Sequence, residues 1–181
     1  MDTYKFKWTR VQNEMFRFLC IKSGVSVNQR VIAEALKVSP TAVAKGLKSM
    51  NKDKFIIYNK DPRMNLTSVE LNRDSDKAVS FKRIENLKMI YESGLLELLD
   101  NKFPGDLIIL FGSYSYGTDT SDSDVDIAII GSKEKEINLE EFEKFLGREI
   151  IVQFYDSIKG IHKSLRNNII NGIVLKGVIE L

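Results

Sequence analysis

The segment 107–130, LIILFGSYSYGTDTSDSDVDIAII, limits what this chain can fold into more than any other part of it. Two short apolar runs, Leu107–Phe111 and Ile127–Ile130, enclose a polar stretch with glycines near its start. Runs of that length bounded by turn residues read as two buried strands. The polar stretch begins with Gly112-Ser113 and ends with acids at every second position, Asp122, Asp124 and Asp126. Asp126 stands at the mouth of the second strand, where an unpaired carboxylate costs several kcal/mol. A partner or a bound cation has to offset that cost. Residues two apart in a strand share a face, so the carboxylates of Asp124 and Asp126 point to one spot.

Three familiar patterns compete for this stretch. Gly112 and Gly117 have the spacing of a phosphate-binding GxxxxGK[ST] loop, but Thr118 and Asp119 follow and the lysine is missing. The aspartates imitate the start of a calcium-binding EF-hand loop, but Ile127 and Lys133 stand where glycine and glutamate are required. A solvated acidic turn accounts for Asp119 and Asp122 and not for Asp126. What remains is a strand delivering a tight Gly-Ser turn, where a phosphate can approach the backbone and meet a hydroxyl. Two carboxylates then return to face it as hard oxygen ligands for Mg²⁺.

Gly-Ser, ten residues, then Asp-Val-Asp and an apolar strand resembles the signature of the DNA polymerase β-like nucleotidyltransferase superfamily, most of all the minimal nucleotidyltransferases of bacteria and archaea. The resemblance covers residues 92–181. It implies that Gly112 and Ser113 bind the phosphates of an NTP and that Asp124 and Asp126 are the catalytic, metal-binding pair. Mg²⁺ or Mn²⁺ would be the cofactor and an NTP the substrate or ligand. A hydroxyl would attack the α-phosphate and pyrophosphate would leave. Asp122 is left as a supporting or loop-capping group. Tyr114, Ser115 and Tyr116 occupy positions where many minimal members carry arginine.

Active members add a third carboxylate on a later strand, beside the attacking hydroxyl. Here NLEEFEKFLGREIIVQFYDS reads as a helix over 138–146, a stop at Gly147 and a strand over 149–155. The family's acid position falls on Ile151. Gln153 and Glu149 share its face and are the polar candidates for the third position. Asp156 has the wrong parity and reads as the cap of a following helix, which runs to Asn171. His162 reads as a surface position on that helix, and IVLKG as a last strand.

The first 72 residues differ in character. They carry 13 Lys/Arg against six Asp/Glu, a net +7, while residues 73–181 carry 14 against 19, a net −5. Such a split suggests two modules, with polyanion binding in the basic one. Apolar spacing predicts a helix over 9–22 with Val11, Met15, Phe18 and Leu19 inside. A second helix follows, capped by Ser26 or Asn28, with Val31, Ile32, Ala35 and Leu36 on one face. A third opens at Ser39-Pro40 and buries Val43, Leu47 and Met50. Phe55–Tyr58 and Leu66–Asn72 read as a hairpin around the turn NKDPRMN. Tyr4 and Trp8 read as anchors of the first helix.

This order resembles the winged-helix DNA-binding domain. The resemblance implies a third helix in the major groove, with Ser39, Thr41, Lys45, Lys48 and Ser49 on or near the groove face. Lys52, Lys54, Lys60 and Arg63 would meet phosphates.

The expected class is therefore α+β. A winged helix spans 1–72, a linker helix spans 73–91, and a nucleotidyltransferase-like mixed sheet flanked by helices spans 92–181. Cys20 is the one cysteine, so no internal disulfide is possible, and it lies in an apolar run and reads as core. No stretch is apolar enough to span a bilayer, and no leader is evident, which fits the cytoplasm. Two functions follow. One is a metal-dependent nucleotidyltransferase coupled to DNA binding. The other is a DNA-binding transcriptional regulator whose second domain binds NTP–Mg²⁺, or a partner protein in antitoxin-like fashion, without catalysis. DNA and NTP are the expected partners. A protein partner or acceptor and a homodimer stay open.

Overall fold

The computed structural model describes residues 8–61 and 66–179. The chain divides into two compact units that meet between Ala78 and Val79.

In the first unit, α1 (Arg10–Ile21) opens on a capping box. The Thr9 hydroxyl accepts from the Gln12 amide at 3.3 Å, and the Gln12 side chain accepts from the Thr9 amide at 2.9 Å. Met15, Phe16, Leu19 and Cys20 are buried along it. A short strand β1 (Val27–Asn28) leads into α2 (Gln29–Ala35), whose cap is Asn28 rather than Ser26, accepting from Arg30 N at 2.8 Å. Then α3 (Pro40–Lys52) begins at Ser39, whose hydroxyl accepts from Ala42 N at 3.2 Å, with proline in the first turn. Strands β2 (Ile56–Asp61) and β3 (Leu66–Leu71) pair antiparallel, and β1 joins the other edge of β3. This is a winged helix with a three-stranded sheet.

Three expectations are corrected here. On α2, Ile32 and Ala33 are buried while Val31 and Ala35 are exposed; a seven-residue helix makes two turns and offers a narrow inner face. On α1, Phe16 is buried more deeply than Phe18 because it belongs to an aromatic cluster. In that cluster Trp8 lies with its ring centroid 4.9 Å from Phe16 and 4.7 Å from Phe55. Strand β2 runs on to Asp61, so the turn is shorter than the expected NKDPRMN; residues 62–65, with Arg63, lie outside the described residues, as do Tyr4 and the Lys60 side chain.

Helix α4 (Asp76–Glu92) occupies most of the segment expected as a linker, and from Val79 onward it belongs to the second unit. Gly94, at φ +79°, separates it from α5 (Leu95–Lys102). A four-stranded mixed sheet follows in the order β6-β5-β4-β7. Its strands are β4 (Leu107–Phe111), β5 (Val125–Ile130), β6 (Ile150–Tyr155) and β7 (Ile173–Lys176). Strands β4 and β5 are antiparallel, β4 and β7 are antiparallel, and β5 and β6 are parallel, with α7 (Glu140–Leu146) in the crossover.

Side-chain alternation places Leu107, Ile109, Phe111, Ala128 and Ile130 on one face of the sheet. They pack with Ile158 and Ile161, which bracket a single 3₁₀ turn, and with Ile169 of α8 (Lys163–Ile170). On the other face Phe154 meets Phe103, ring centroids 5.4 Å apart. The expected single helix to Asn171 is thus a 3₁₀ turn followed by α8. Asp156 does not cap it; Ser157 precedes the turn and His162 precedes α8, exposed, its Nδ1 2.9 Å from the Ser164 hydroxyl. Among the described residues no helix is long and apolar enough to cross a membrane.

Candidate functional site

Strand β4 ends at Phe111, directly paired with Asp126 on β5. The chain turns at Gly112 and forms α6 (Gly112–Tyr116). Gly112 has φ +70°, a left-handed value that favours glycine. Its missing side chain leaves room for a group the sequence did not indicate. A Cβ at Gly112 would run into the Asp126 carboxylate. The Gly-Ser turn and the aspartate are therefore in direct apposition. Ser113, half-buried, stands beside them at the start of α6.

Asp126 is half-buried and Asp124 exposed. Burial, and then the negative charge of Asp124, raise the Asp126 pKa above the usual aspartate value. Two like charges forced together beside a glycine cradle fit a divalent cation. A hard cation restores the ionised form and takes a pair of carboxylates plus substrate phosphates as ligands.

In the metal-free protein the same shift sets a pH dependence. The folded state holds the Asp126 proton more tightly than the unfolded chain does. Stability therefore falls as pH rises from about 3.9, the ordinary aspartate pKa, through the raised value. We expect Asp126→Asn to remove this decline in melting temperature measured without metal between pH 4 and 7 (roughly the carboxylate range). An unchanged slope in the variant would assign the effect to another group.

The third position is set by the parallel register. Asp126 pairs with Ile151, and Ala128 with Gln153. Gln153 thus lies one same-face position further along β6, and its side-chain oxygen accepts from the Tyr155 hydroxyl at 2.5 Å. Glu149 precedes β6 and is exposed; its carbonyl accepts from Val125 N at 2.8 Å. Its side chain lines an open groove of about 570 Å³ with Asp122, Asp124, Glu143 and Arg148. Among the described residues no group of three or more His, Cys, Asp or Glu is placed to hold a metal ion.

The acidic-turn reading is corrected for Asp119. It is not solvated but 1% exposed. Its carboxylate accepts from Lys82 Nζ, from Asn86 Nδ2 at 2.8 Å and from Arg148 Nη2 at 3.3 Å. Sequence reasoning missed this group because Lys82 lies 37 residues away on a helix that reads as a linker. The available signal was a lysine and an asparagine, Lys82 and Asn86, four apart on the inner side of α4.

On the first unit, α3 buries Val43, Gly46, Leu47 and Met50. Thr41, Lys45, Lys48 and Lys52 are exposed, and their 4-3-4 spacing puts them on one stripe of the helix. Ser49 and Lys54 are also exposed, while the Ser39 hydroxyl is engaged as the α3 cap. Arg63 and the Lys60 side chain cannot be placed, lying outside the described residues.

Residues 92–175 match the family model of the nucleotidyltransferase domain. The second unit carries a nucleotidyltransferase domain. The match takes in Gly112, Ser113, Asp124, Asp126 and Ile151, and it excludes Lys82 and Asn86 of α4. No curated protein matches the chain. Among solved structures, the zinc-responsive MarR family member ZitR of Lactococcus lactis is 24% identical, with a TM-score of 0.40; the likeness covers 57% of this chain and 68% of that one. The adhesin competence repressor AdcR of Streptococcus pyogenes is 23% identical, with a TM-score of 0.41, covering 54% and 69%. The winged helix of the first unit stands on its own element order and sheet.

Proposed function

We propose that this protein binds duplex DNA through α3 and the wing, and binds an NTP with Mg²⁺ or Mn²⁺ in its nucleotidyltransferase domain, where nucleotidyl transfer is slow. The observation that supports the reading is the apposition of Gly112, in the Gly-Ser turn, and Asp126, one of the two acids. Ser113 offers a hydroxyl and an amide to a phosphate, and Gly112, lacking a side chain, makes room beside them for the Asp126 carboxylate. Asp124 and Asp126 would hold the cation, which supplies neutralisation of phosphate charge. Its action belongs in the cytoplasm, where DNA and NTPs are found together.

Transfer is slow on this reading because Ile151 stands beside Asp126. An aliphatic side chain cannot accept the proton of an attacking hydroxyl. Loss of such a base costs about 10²–10⁴-fold in rate. A nucleotide-binding regulator without turnover, or one that engages a partner protein, is the reading this position favours. The groove supports the catalytic one: a hydroxyl acceptor entering beside Asp124 would meet Glu149. Incubation with each α-labelled NTP and Mg²⁺ or Mn²⁺ separates them. Label transferred to protein, RNA or cell extract establishes the enzyme. Tight binding without transfer establishes the regulator. No metal-dependent binding overturns both.

For DNA, Lys52 and Lys54 would make phosphate contacts that carry salt dependence and no sequence information. We expect Lys52→Ala/Lys54→Ala to weaken binding to random duplex DNA. The slope of log affinity against log salt should fall by about 2. Affinity that is insensitive to salt in the unmutated protein would exclude this face as a DNA surface.

A further inference from the structure

Within residues 118–124, which join the phosphate turn to the acidic pair, Asp119 is the single buried side chain. The turns on either side of it are closed locally. Thr118 N donates to Ser113 O at 3.1 Å, and Ser123 N donates to Thr120 O at 3.2 Å. Asp119 ties these turns to two other segments through three donors. Lys82 and Asn86 reach it from α4, and Arg148 reaches it from the turn before β6. Asn86 Nδ2 also donates to Tyr114 O of α6 at 2.9 Å, so one side chain grips both ends of the turn. Arg148 Nη1 donates to Gly147 O at 3.0 Å. Lys82 is 0% exposed and Arg148 5%.

Buried ion pairs are a poor way to gain stability. Apolar groups of similar size often do as well or better, because no charge has to leave water. What a carboxylate with three donors supplies is direction. Each oxygen is fixed relative to α4 and to β6, and the loop backbone is fixed with it.

We infer that Asp119 is a positioning residue. Clamped between Lys82 and Arg148, it sets the separation of the Gly112–Ser113 turn from the Asp124–Asp126 pair, and so the affinity for a nucleoside triphosphate with its cation. This rests on the reading of those four residues as the nucleotide site. Lys82 and Asn86 precede the segment that the family model matches, so half of the clamp comes from outside it.

The test is the double variant Lys82→Met/Asp119→Leu, which removes the ion pair at nearly constant volume. The double variant also takes from Arg148 its carboxylate partner and leaves it the bond to Gly147 O. Thermal unfolding, amide hydrogen exchange over residues 113–124, and calorimetric titration with Mg²⁺ and adenylyl-imidodiphosphate are measured on the full chain. The variant is expected to unfold cooperatively, with loop exchange faster by about tenfold or more. Its dissociation constant should rise by about tenfold or more. Lys82→Arg, which keeps the charge but enlarges a fully buried side chain, should move both less than the double variant does. A folded double variant with unchanged exchange and affinity overturns the inference. Should it not fold, Lys82→Gln/Asp119→Asn carries the same comparison, since it removes the Lys82 pair at similar shape and leaves a carbonyl oxygen at position 119 to accept from Asn86 and Arg148. Faster loop exchange in the variant, together with no nucleotide affinity in the unmutated protein, would overturn the nucleotide reading and support the hold of Asp119 on the loop.

Discussion

Asp124→Ala/Asp126→Ala is expected to abolish metal-dependent NTP binding, with an affinity loss of at least about 100-fold (roughly 2.7 kcal/mol). Asp126 lies against Gly112, and Asp124, two residues before it, supplies the second carboxylate of the proposed cation site, so removing both leaves the cation no anchor. The same substitution is expected to leave the melting temperature of the metal-free protein unchanged or to raise it. In the absence of a cation the pair is a repulsive one, and burial of Asp126 adds to its cost. Loss of binding without loss of stability marks a site held for function. Calorimetric titration with Mg²⁺–NTP and a thermal melt in EDTA check both halves. Retained affinity would move the nucleotide elsewhere; a large drop in melting temperature would make the aspartates structural.

Gly117→Ala is expected to destabilise the second unit by about 3 kcal/mol or more. Two costs combine. The backbone there has φ +75°, which costs an alanine about 1–2 kcal/mol. The added Cβ would also stand 2.6 Å from the Val79 carbonyl oxygen and 2.7 Å from the Arg83 amide nitrogen. Those are backbone atoms of α4, so no side chain can rotate away, and overpacking of this kind costs about 1–3 kcal/mol more. Circular dichroism should show a lowered midpoint for the second unit. Fluorescence of Trp8, the one tryptophan in the chain, should report the first unit at its original midpoint. Equal stability of the variant would mean that α4 does not pack on this turn.

The Gly112 example shows where sequence reading succeeds and why it stops. Spacing alone proposed that Gly112-Ser113 and Asp124-Asp126 serve one site, because two strands flanking a polar loop must return near one another. It read the glycine as room for a phosphate. Folded, the space beside Gly112 is limited by the Asp126 carboxylate, a contact that exists only once β4 and β5 pair with Phe111 opposite Asp126. The stripe on α3 was legible for a similar local reason: a helical repeat fixes which side chains share a face.

Asp119 shows the opposite case. In sequence it is one more acid in a polar loop, and nothing within several residues distinguishes it from Asp122. Burial separates the two, and burial depends on α4 and the turn before β6 arriving from 37 residues before and 29 residues after. By itself, the sequence determined local patterns: two buried strands with an acidic pair between them, a capped helix-turn-helix, and a basic half before an acidic one. Such features depend on neighbours within a turn or a pleat. Tertiary structure alone decided the pairing of Asp126 with Ile151, the burial of Asp119 and the contact of Gly117 with α4. Each joins segments whose separation along the chain carries no periodic signal, and each is set by how strands register and helices pack.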